Sequence, residues 1–363
     1  MLVPIFAFGT AFYLLFILLV CAALWKQKVP RDGDSKGISV IIAARNEEIN
    51  LPRLLKSLSA LVYPQNLYEI IIINDHSTDA SMRILAEYNG KHNIRLIDFQ
   101  DSLPGLTGKK AAIMNGINAA RYDILAFTDA DCVVPPSWLS RINSSMDNET
   151  DYLLGFSIMK RNPGAGSMRL RNFERGVYYA LAAAGLYWRL PVTSSACNMV
   201  YRKSLFDQAG GFNGIGHLAS GDDDLLLMKM MKYIRKACFD PSPEMQVVSI
   251  EGTDLAKRHQ TNIRRASKFF HHPWWVKALS VFIFLYFLLF YLLVIRSLLG
   301  GFTFLAAYSL ISKTIAEICL ILLHFSKIRH IKLSVLYPLQ LLLFPAQFLF
   351  YAVRGTLGGY RWK

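Results

Sequence analysis

The chain lacks paired cysteine. Its 363 residues include five cysteines, Cys21, Cys132, Cys197, Cys238 and Cys319, odd in number and scattered. No disulfide or zinc spacing joins them, which argues against a disulfide-stapled secreted scaffold and fits a reducing compartment. No Gly-x-Gly-x-x-Gly follows the first apolar run, which argues against a dinucleotide oxidoreductase. No internal repeat or low-complexity tract interrupts the chain. The N-terminus has no basic n-region before its apolar run, which argues against a cleaved signal peptide. Acidic residues are scarce: 26 Asp and Glu stand against 40 Lys and Arg, a net charge of +14. Such an excess first raises nucleic-acid binding. The basic residues instead crowd the flanks of apolar segments, at Lys257, Arg258, Arg264, Arg265, Lys268 and Lys277, then Lys327, Arg329 and Lys332. Interleaved Phe269, Phe270, Trp274 and Trp275 suit a headgroup-level belt. The charge is therefore read as facing an anionic membrane surface and not nucleic acid.

What the chain has in abundance is apolar sequence, 53% of residues, concentrated at its two ends. Residues 2–25 carry no charge, and 278–295 are again uncharged. Residues 301–325 are apolar apart from Lys313 and Glu317, which are one helical turn apart and can neutralise each other. Residues 333–353 are uncharged but hold Pro338 and Pro345. Four regions follow: a transmembrane helix at 1–25, a globular domain at 37–255, a basic interfacial segment at 256–277 and a membrane region at 278–357. The positive-inside rule puts the N-terminus outside and 26–277 in the cytoplasm. Full spans are expected at about 278–297 and 301–325. Segment 333–353 is expected as a re-entrant or interfacial hairpin broken near its prolines, which keeps Arg354, Arg361 and Lys363 inside. The chain thus has one N-terminal and two to three C-terminal membrane segments.

Between 37 and 150, short apolar runs alternate with helical periodicity. Strands are expected at Ile38–Ala43, Tyr68–Ile73, Ile94–Asp98 and Asp123–Phe127. Helices are expected at Leu51–Leu61, Ser77–Tyr88 and Lys109–Ala120. This is an α/β pattern with a doubly wound, mostly parallel sheet. After 150 the alternation weakens to a long helix at Met168–Trp188, a strand at Ala196–Tyr201 and a helix at Asp222–Tyr233. Polar clusters stand where the apolar runs end: Asn74-Asp75-His76-Ser77-Thr78-Asp79, Gly108-Lys109-Lys110, Thr128-Asp129-Ala130-Asp131 and Gly221-Asp222-Asp223-Asp224. Ligands of open α/β sheets gather at such carboxyl ends. Asp129 and Asp131, one residue apart after a buried strand, can hold a hard divalent cation.

These stretches, with Val40–Glu47, Cys197–Lys203 and Gly210-Gly211-Phe212, resemble a membrane-associated family 2 glycosyltransferase of the A-type nucleotide-sugar fold, over about residues 37–270. The resemblance implies a nucleotide-sugar donor bound by Ala43, Arg45, Glu47, Asp75, Lys109 and Asp129. It implies Mg2+ or Mn2+ held by Asp131 and Asp129, and an acceptor near Cys197, Asn198 and Asp223. It puts the general base at Asp222, where Gly221 replaces the family's usual Glu, with Asp223 as the alternative. Lys110 reads as a phosphate counter-charge or, more readily, as a solvated helix residue, and Asp79 more readily as a turn cap. The family's later Gln-x-x-Arg-Trp motif is degraded, with Thr261 and Arg265 in the places of Gln and Trp. His259 reads either as a third metal ligand or as a surface residue. The implied activity is inverting sugar transfer from a nucleotide-diphosphate donor to a lipid or lipid-linked saccharide at the cytoplasmic face. A processive polysaccharide synthase and a non-catalytic membrane scaffold are the alternatives.

Overall fold

The computed structural model describes residues 2–30, 34–101, 103–161, 168–218, 220–251, 255–300 and 303–357. The chain divides into two compact units. One comprises Gln27–Met168 and Leu181–Thr253; the other comprises Met1–Lys26, Arg169–Ala180 and Asp254–Lys363.

The first unit is built on ten strands: β1 (Ile38–Ala44), β2 (Tyr68–Asp75), β3 (Ile94–Phe99), β4 (Ile124–Phe127), β5 (Cys132–Val133), β6 (Thr150–Gly155), β7 (Ser157–Arg161), β8 (Met199–Arg202), β9 (Lys236–Asp240) and β10 (Val247–Glu251). Seven form one sheet in the order β3-β2-β1-β4-β8-β6-β9, and β5-β10-β7 form a second. The pairings β3–β2, β2–β1 and β1–β4 are parallel. β8 runs antiparallel to both of its neighbours, and β9 returns parallel to β6. The mostly parallel expectation therefore holds, with one reversed strand in the seven-stranded sheet, in the half where the sequence alternation fades, and β5 antiparallel to β10 in the second.

Burial explains the legible half. β1 and β2 are buried along almost their whole length, with apolar runs at their centres, because helices cover both faces. Helix Leu51–Ser59 presents Leu51, Leu54, Leu55 and Leu58 to this core, the spacing of one helical face. Helix Lys109–Ala119 lies close to the sheet: a Cβ on Gly116 would stand 2.6 Å from Ile41 and 2.8 Å from Ile73. That contact fixes where the N-terminus of the helix emerges. Four boundaries differ from expectation. Ala196–Asn198 is a 3-10 turn before β8, helix Ser81–Ala86 is shorter than 77–88, helix Asp224–Met230 starts two residues after Asp222, and helix Trp138–Ser145 was not anticipated.

In the second unit, helices Leu2–Lys26, Trp274–Leu298, Phe304–Lys327 and Tyr337–Thr356 contain or border four candidate spans long and apolar enough to cross a membrane, the last at Ile331–Thr356. The expected hairpin at 333–353 is corrected: a 3-10 turn, Ile331–Leu336, leads into one continuous helix. Pro338 sits in its first turn, where its missing N–H has no helical partner to lose, and only Pro345 is interior. The C-terminal end of this helix packs on helix Leu255–Ser267, with Tyr351 Oη 3.3 Å from His259 Nδ1. A Cβ on Gly355 would stand 2.4 Å from that of Ala266. Near its start, Tyr337 donates to Glu317 Oε2 at 2.7 Å. Lys313, buried, donates to both oxygens of Glu317 at 2.8 Å, and Tyr13 donates to Glu317 Oε1 at 2.5 Å. The pair is thus neutralised and fully bonded, which favours the structural reading of these charges. Arg361 and Lys363 lie outside the described residues.

Candidate active site

Three chain ends converge at the carboxyl edge of the parallel strands. Beyond β4 the chain runs through Thr128 to Asp129. Gly108, at φ 54°, turns the chain into the helix that Lys109 opens, a left-handed conformation that favours glycine. Asp222 precedes helix Asp224–Met230. Lys109 Nζ forms an ion pair with Asp129 Oδ1 and stands 3.5 Å from Asp222 Oδ2. Burial opposes the lysine's charge, but Asp129 and then Asp222 outweigh it and hold the ammonium above its ordinary pKa. Asp131 lies two residues on. Burial and then the Asp129 carboxylate push it up to about 6, and Glu47 adds to the rise. The donor set of Asp131, Asp129 and the nearby Glu47 is anionic and all-oxygen. Lys109 offsets part of this charge, and the remaining negative charge fits a hard divalent ion.

The three consecutive carboxylates take different places. Asp222 faces Lys109 and is 15% exposed. Asp223 is the N-cap of the helix, accepting from Asp224 N at 2.7 Å. Asp224 is buried, and its Oδ1 accepts from Leu225 N at 2.7 Å.

Asp75 ends β2, two strands from β4, hence about 10 Å along the same edge at ordinary strand spacing. It is buried, and His76 Nδ1 lies 2.8 Å from its Oδ1. Ala43 is half-buried near the end of β1, and Arg45 is exposed just beyond it. Asp79 belongs to a latch between two loops: it accepts from Glu48 N at 3.1 Å and Ser81 N at 2.9 Å, while Asn46 Oδ1 accepts from Thr78 N at 2.7 Å. That supports the turn-cap reading of Asp79. His259 packs on Tyr351 within the other unit.

The acceptor expectation for Asn198 is corrected. Its side chain is fully buried, accepting from Trp138 Nε1 at 3.1 Å and donating to the carbonyls of Phe156 and Met245 at 3.0 and 2.5 Å. Its amide anchors Trp138 and two backbone carbonyls, and at 0% exposure it is out of an acceptor's reach. Cys197, beside it, is half-buried, and its Sγ donates to Asp129 Oδ2 at 3.0 Å. The residue that spacing alone could not assign is Lys110. It is buried, and its Nζ donates to the carbonyls of Ile215, Leu218 and Ser220 at 2.9, 2.5 and 2.8 Å. Neighbours on a helix point about 100° apart. Lys109 therefore reaches the carboxylates while Lys110 holds the loop that leads into Asp222.

Fold and site together define an α/β protein with an ammonium–carboxylate centre at the carboxyl edge of a mixed, mostly parallel sheet. Residues 39–209 match the profile described as Glycosyl transferase family 2, and the chain carries a domain of that family. It is similar to "Poly-beta-1,6-N-acetyl-D-glucosamine synthase" of Staphylococcus epidermidis, 31% identical over 141 residues, 38% of this chain and 30% of that protein. It is also similar to "Beta-monoglucosyldiacylglycerol synthase" of Nostoc sp., 34% identical over 110 residues, 30% of this chain and 23% of that protein. Less than a third of either relative is therefore matched. Among solved structures, "Mannosyltransferase PcManGT from Pyrobaculum calidifontis in complex with GDP-Man and Mn2+" shares the fold, with a TM-score of 0.60 at 16% identity, over 98% of this chain and 99% of that one.

Proposed function

We propose that this protein is an inverting glycosyltransferase that moves a sugar from a nucleotide-diphosphate donor to a lipid or lipid-linked saccharide at the cytoplasmic membrane face. The observation that carries the reading is Lys109 standing between Asp129 and Asp222. Their closeness supports reading Lys109 as a phosphate-binding cation, Asp129 as a donor-side carboxylate and Asp222 as the base. The nucleoside end lies toward Asp75, with Ala43, Arg45 and Glu47 along the same edge. The donor's diphosphate draws Lys109 toward itself and leaves the Asp222 carboxylate available. Asp222 accepts the proton of the acceptor hydroxyl. That oxygen forms its bond to the anomeric carbon from the face opposite the diphosphate. The bond from that carbon to the diphosphate oxygen breaks, and its electrons leave with the nucleotide. Asp131 and Asp129 would hold Mg2+ or Mn2+, which when bound supplies charge that favours the departing diphosphate.

The four apolar helices and the glycolipid named in one relative's description support a lipid acceptor. The other relative's name favours a second reading, polymer synthesis, which the degraded late motif weighs against. The test uses the full-length protein in detergent, incubated with lipid extract and a panel of nucleotide sugars and read by mass spectrometry. One sugar added per lipid supports the reading; a ladder of sugars would favour the polymerase. Chelation and Asp131→Ala should both abolish transfer, and Mg2+ or Mn2+ should restore only the chelated protein. Undiminished transfer in excess chelator would remove the metal role.

A further inference from the structure

Two thiols border the donor side of the site, and the proposed chemistry uses neither as a reacting group. Cys132 opens β5 and is buried; Cys197 lies on the 3-10 turn Ala196–Asn198 and is half-buried. Their Sγ atoms and a carboxylate oxygen of Asp129 all lie within 4.8 Å of one another. Cys197 donates to Asp129 Oδ2 at 3.0 Å, and Cys132 donates to Asp131 Oδ1 at 3.3 Å. Both sulfurs are held by independent anchors. Cys132 is in register with Ser249 in the β5–β10 pairing, and the Cys197 turn is fixed by the buried amide of Asn198. Hard cations such as Mg2+ select oxygen, whereas thiolate with carboxylate suits Zn2+ and its softer congeners.

We propose that Asp129, Cys132 and Cys197 form a binding site for a borderline-soft divalent cation, Zn2+ or Cd2+, that overlaps the donor site. Tetrahedral zinc with bonds of about 2.0–2.3 Å needs ligand atoms about 3.5 Å apart, so the three present atoms close on an ion with shifts of the order of an ångström. Three protein ligands leave the fourth position to water. Each thiol donates to a carboxylate, Cys132 to Asp131 and Cys197 to Asp129, when no ion is bound. A divalent cation ends that donation by deprotonating the thiols that coordinate it. Each binding event forms two metal–sulfur bonds and one metal–oxygen bond, breaks the metal–water bonds they replace with release of those waters, and releases two thiol protons to solvent, with no change of oxidation state. Asp129 is then drawn from Lys109, and the ion blocks the donor site. That inhibitory consequence rests on the proposed function; the binding does not.

The test titrates the full-length protein in detergent with Cd2+ and follows ultraviolet thiolate-to-cadmium absorption. One ion per chain with two thiolates is expected. A variant with Cys21, Cys238 and Cys319 all replaced by Ser should retain the signal. Cys132→Ser and Cys197→Ser should each weaken binding by at least about tenfold, the cost of losing even an outer-shell partner. Should Cys132→Ser fail to fold, the half-buried Cys197→Ser carries the comparison. No thiolate band at saturating Cd2+, or a band that survives the paired Cys132 and Cys197 replacement, overturns the site. Zn2+ should also inhibit Mg2+- or Mn2+-supported transfer in the wild type and do so at least about tenfold less potently in Cys197→Ser, relative to that variant's own rate. Binding without any transfer activity would overturn the proposed function and leave the site standing. Activity without binding would do the reverse.

Discussion

Asp222→Asn separates proton acceptance from packing. Asparagine keeps the size of aspartate and one acceptor oxygen but cannot take the hydroxyl proton. Loss of a general base lowers turnover by about two to four orders of magnitude, or about 3–5 kcal/mol of barrier. The same substitution removes one of two carboxylates near Lys109. At 3.5 Å and an effective dielectric of about 20, that attraction is about 5 kcal/mol before desolvation. Lys109 is 31% exposed and keeps Asp129, so the ammonium is not orphaned, and the net change in stability should stay near or below about 1 kcal/mol. The effect should therefore appear in kcat, with donor KM and thermal stability little changed. Asp223→Asn is the control: that residue caps its helix, and asparagine caps about as well as aspartate, so turnover should hold within a factor of about two. Purified full-length protein, nucleotide-release kinetics over a range of donor concentrations and a melting curve give all three readouts. If Asp223→Asn loses about a hundredfold and Asp222→Asn does not, the base lies one residue on. A loss confined to donor KM would make Asp222 a binding group.

Other perturbations probe what holds the site and the membrane unit. Lys110→Met removes the ammonium from three loop carbonyls and should lower kcat by about ten- to a hundredfold through misplacement of Asp222. Hydrogen exchange over 215–221 should rise, and unchanged exchange would refute the clamp. Glu317→Ala leaves Lys313 buried without its counter-charge and should cost about 3–5 kcal/mol, read as a marked drop in melting temperature in detergent. Combined Lys313→Met and Glu317→Leu should recover most of it, and a single variant that melts like wild type would show the pair to be dispensable. Because Tyr351 and Gly355 pack on the helix that precedes the span at Trp274, a cysteine at Leu357 should resist an impermeant thiol reagent applied outside intact cells. Ready labelling would place that end outside and make the last helix a full crossing.

The fold's first half was legible because burial on both faces writes near-continuous apolar runs. β1 through β4 and their helices fall within a few residues of expectation. β5, β6, β7, β9 and β10 are not legible in the sequence, since short strands paired far along the chain carry no local period. Pro338 and Pro345 misled in the opposite way. They suggested a broken hairpin, yet a proline in the first turn costs a helix nothing, and the turn in which it falls depends on where the helix begins.

Sequence by itself determined which residue types meet at the strand ends, since the chain must leave the sheet there and polar clusters mark each exit. It also determined the apolar segments, because bilayer thickness fixes their length. Composition and local pattern did not separate Asp222, Asp223 and Asp224, or Lys109 from Lys110; only the family resemblance ranked them. Adjacent residues share composition and motif, and only the direction in which the backbone carries each side chain distinguishes them. Tertiary structure sent Lys109 to the carboxylates, Lys110 to the loop carbonyls and Asn198 into the core. It also brought Cys132 and Cys197 together from 65 residues apart, because pairing through β10 and the turn before β8 closes a distance that no local pattern records.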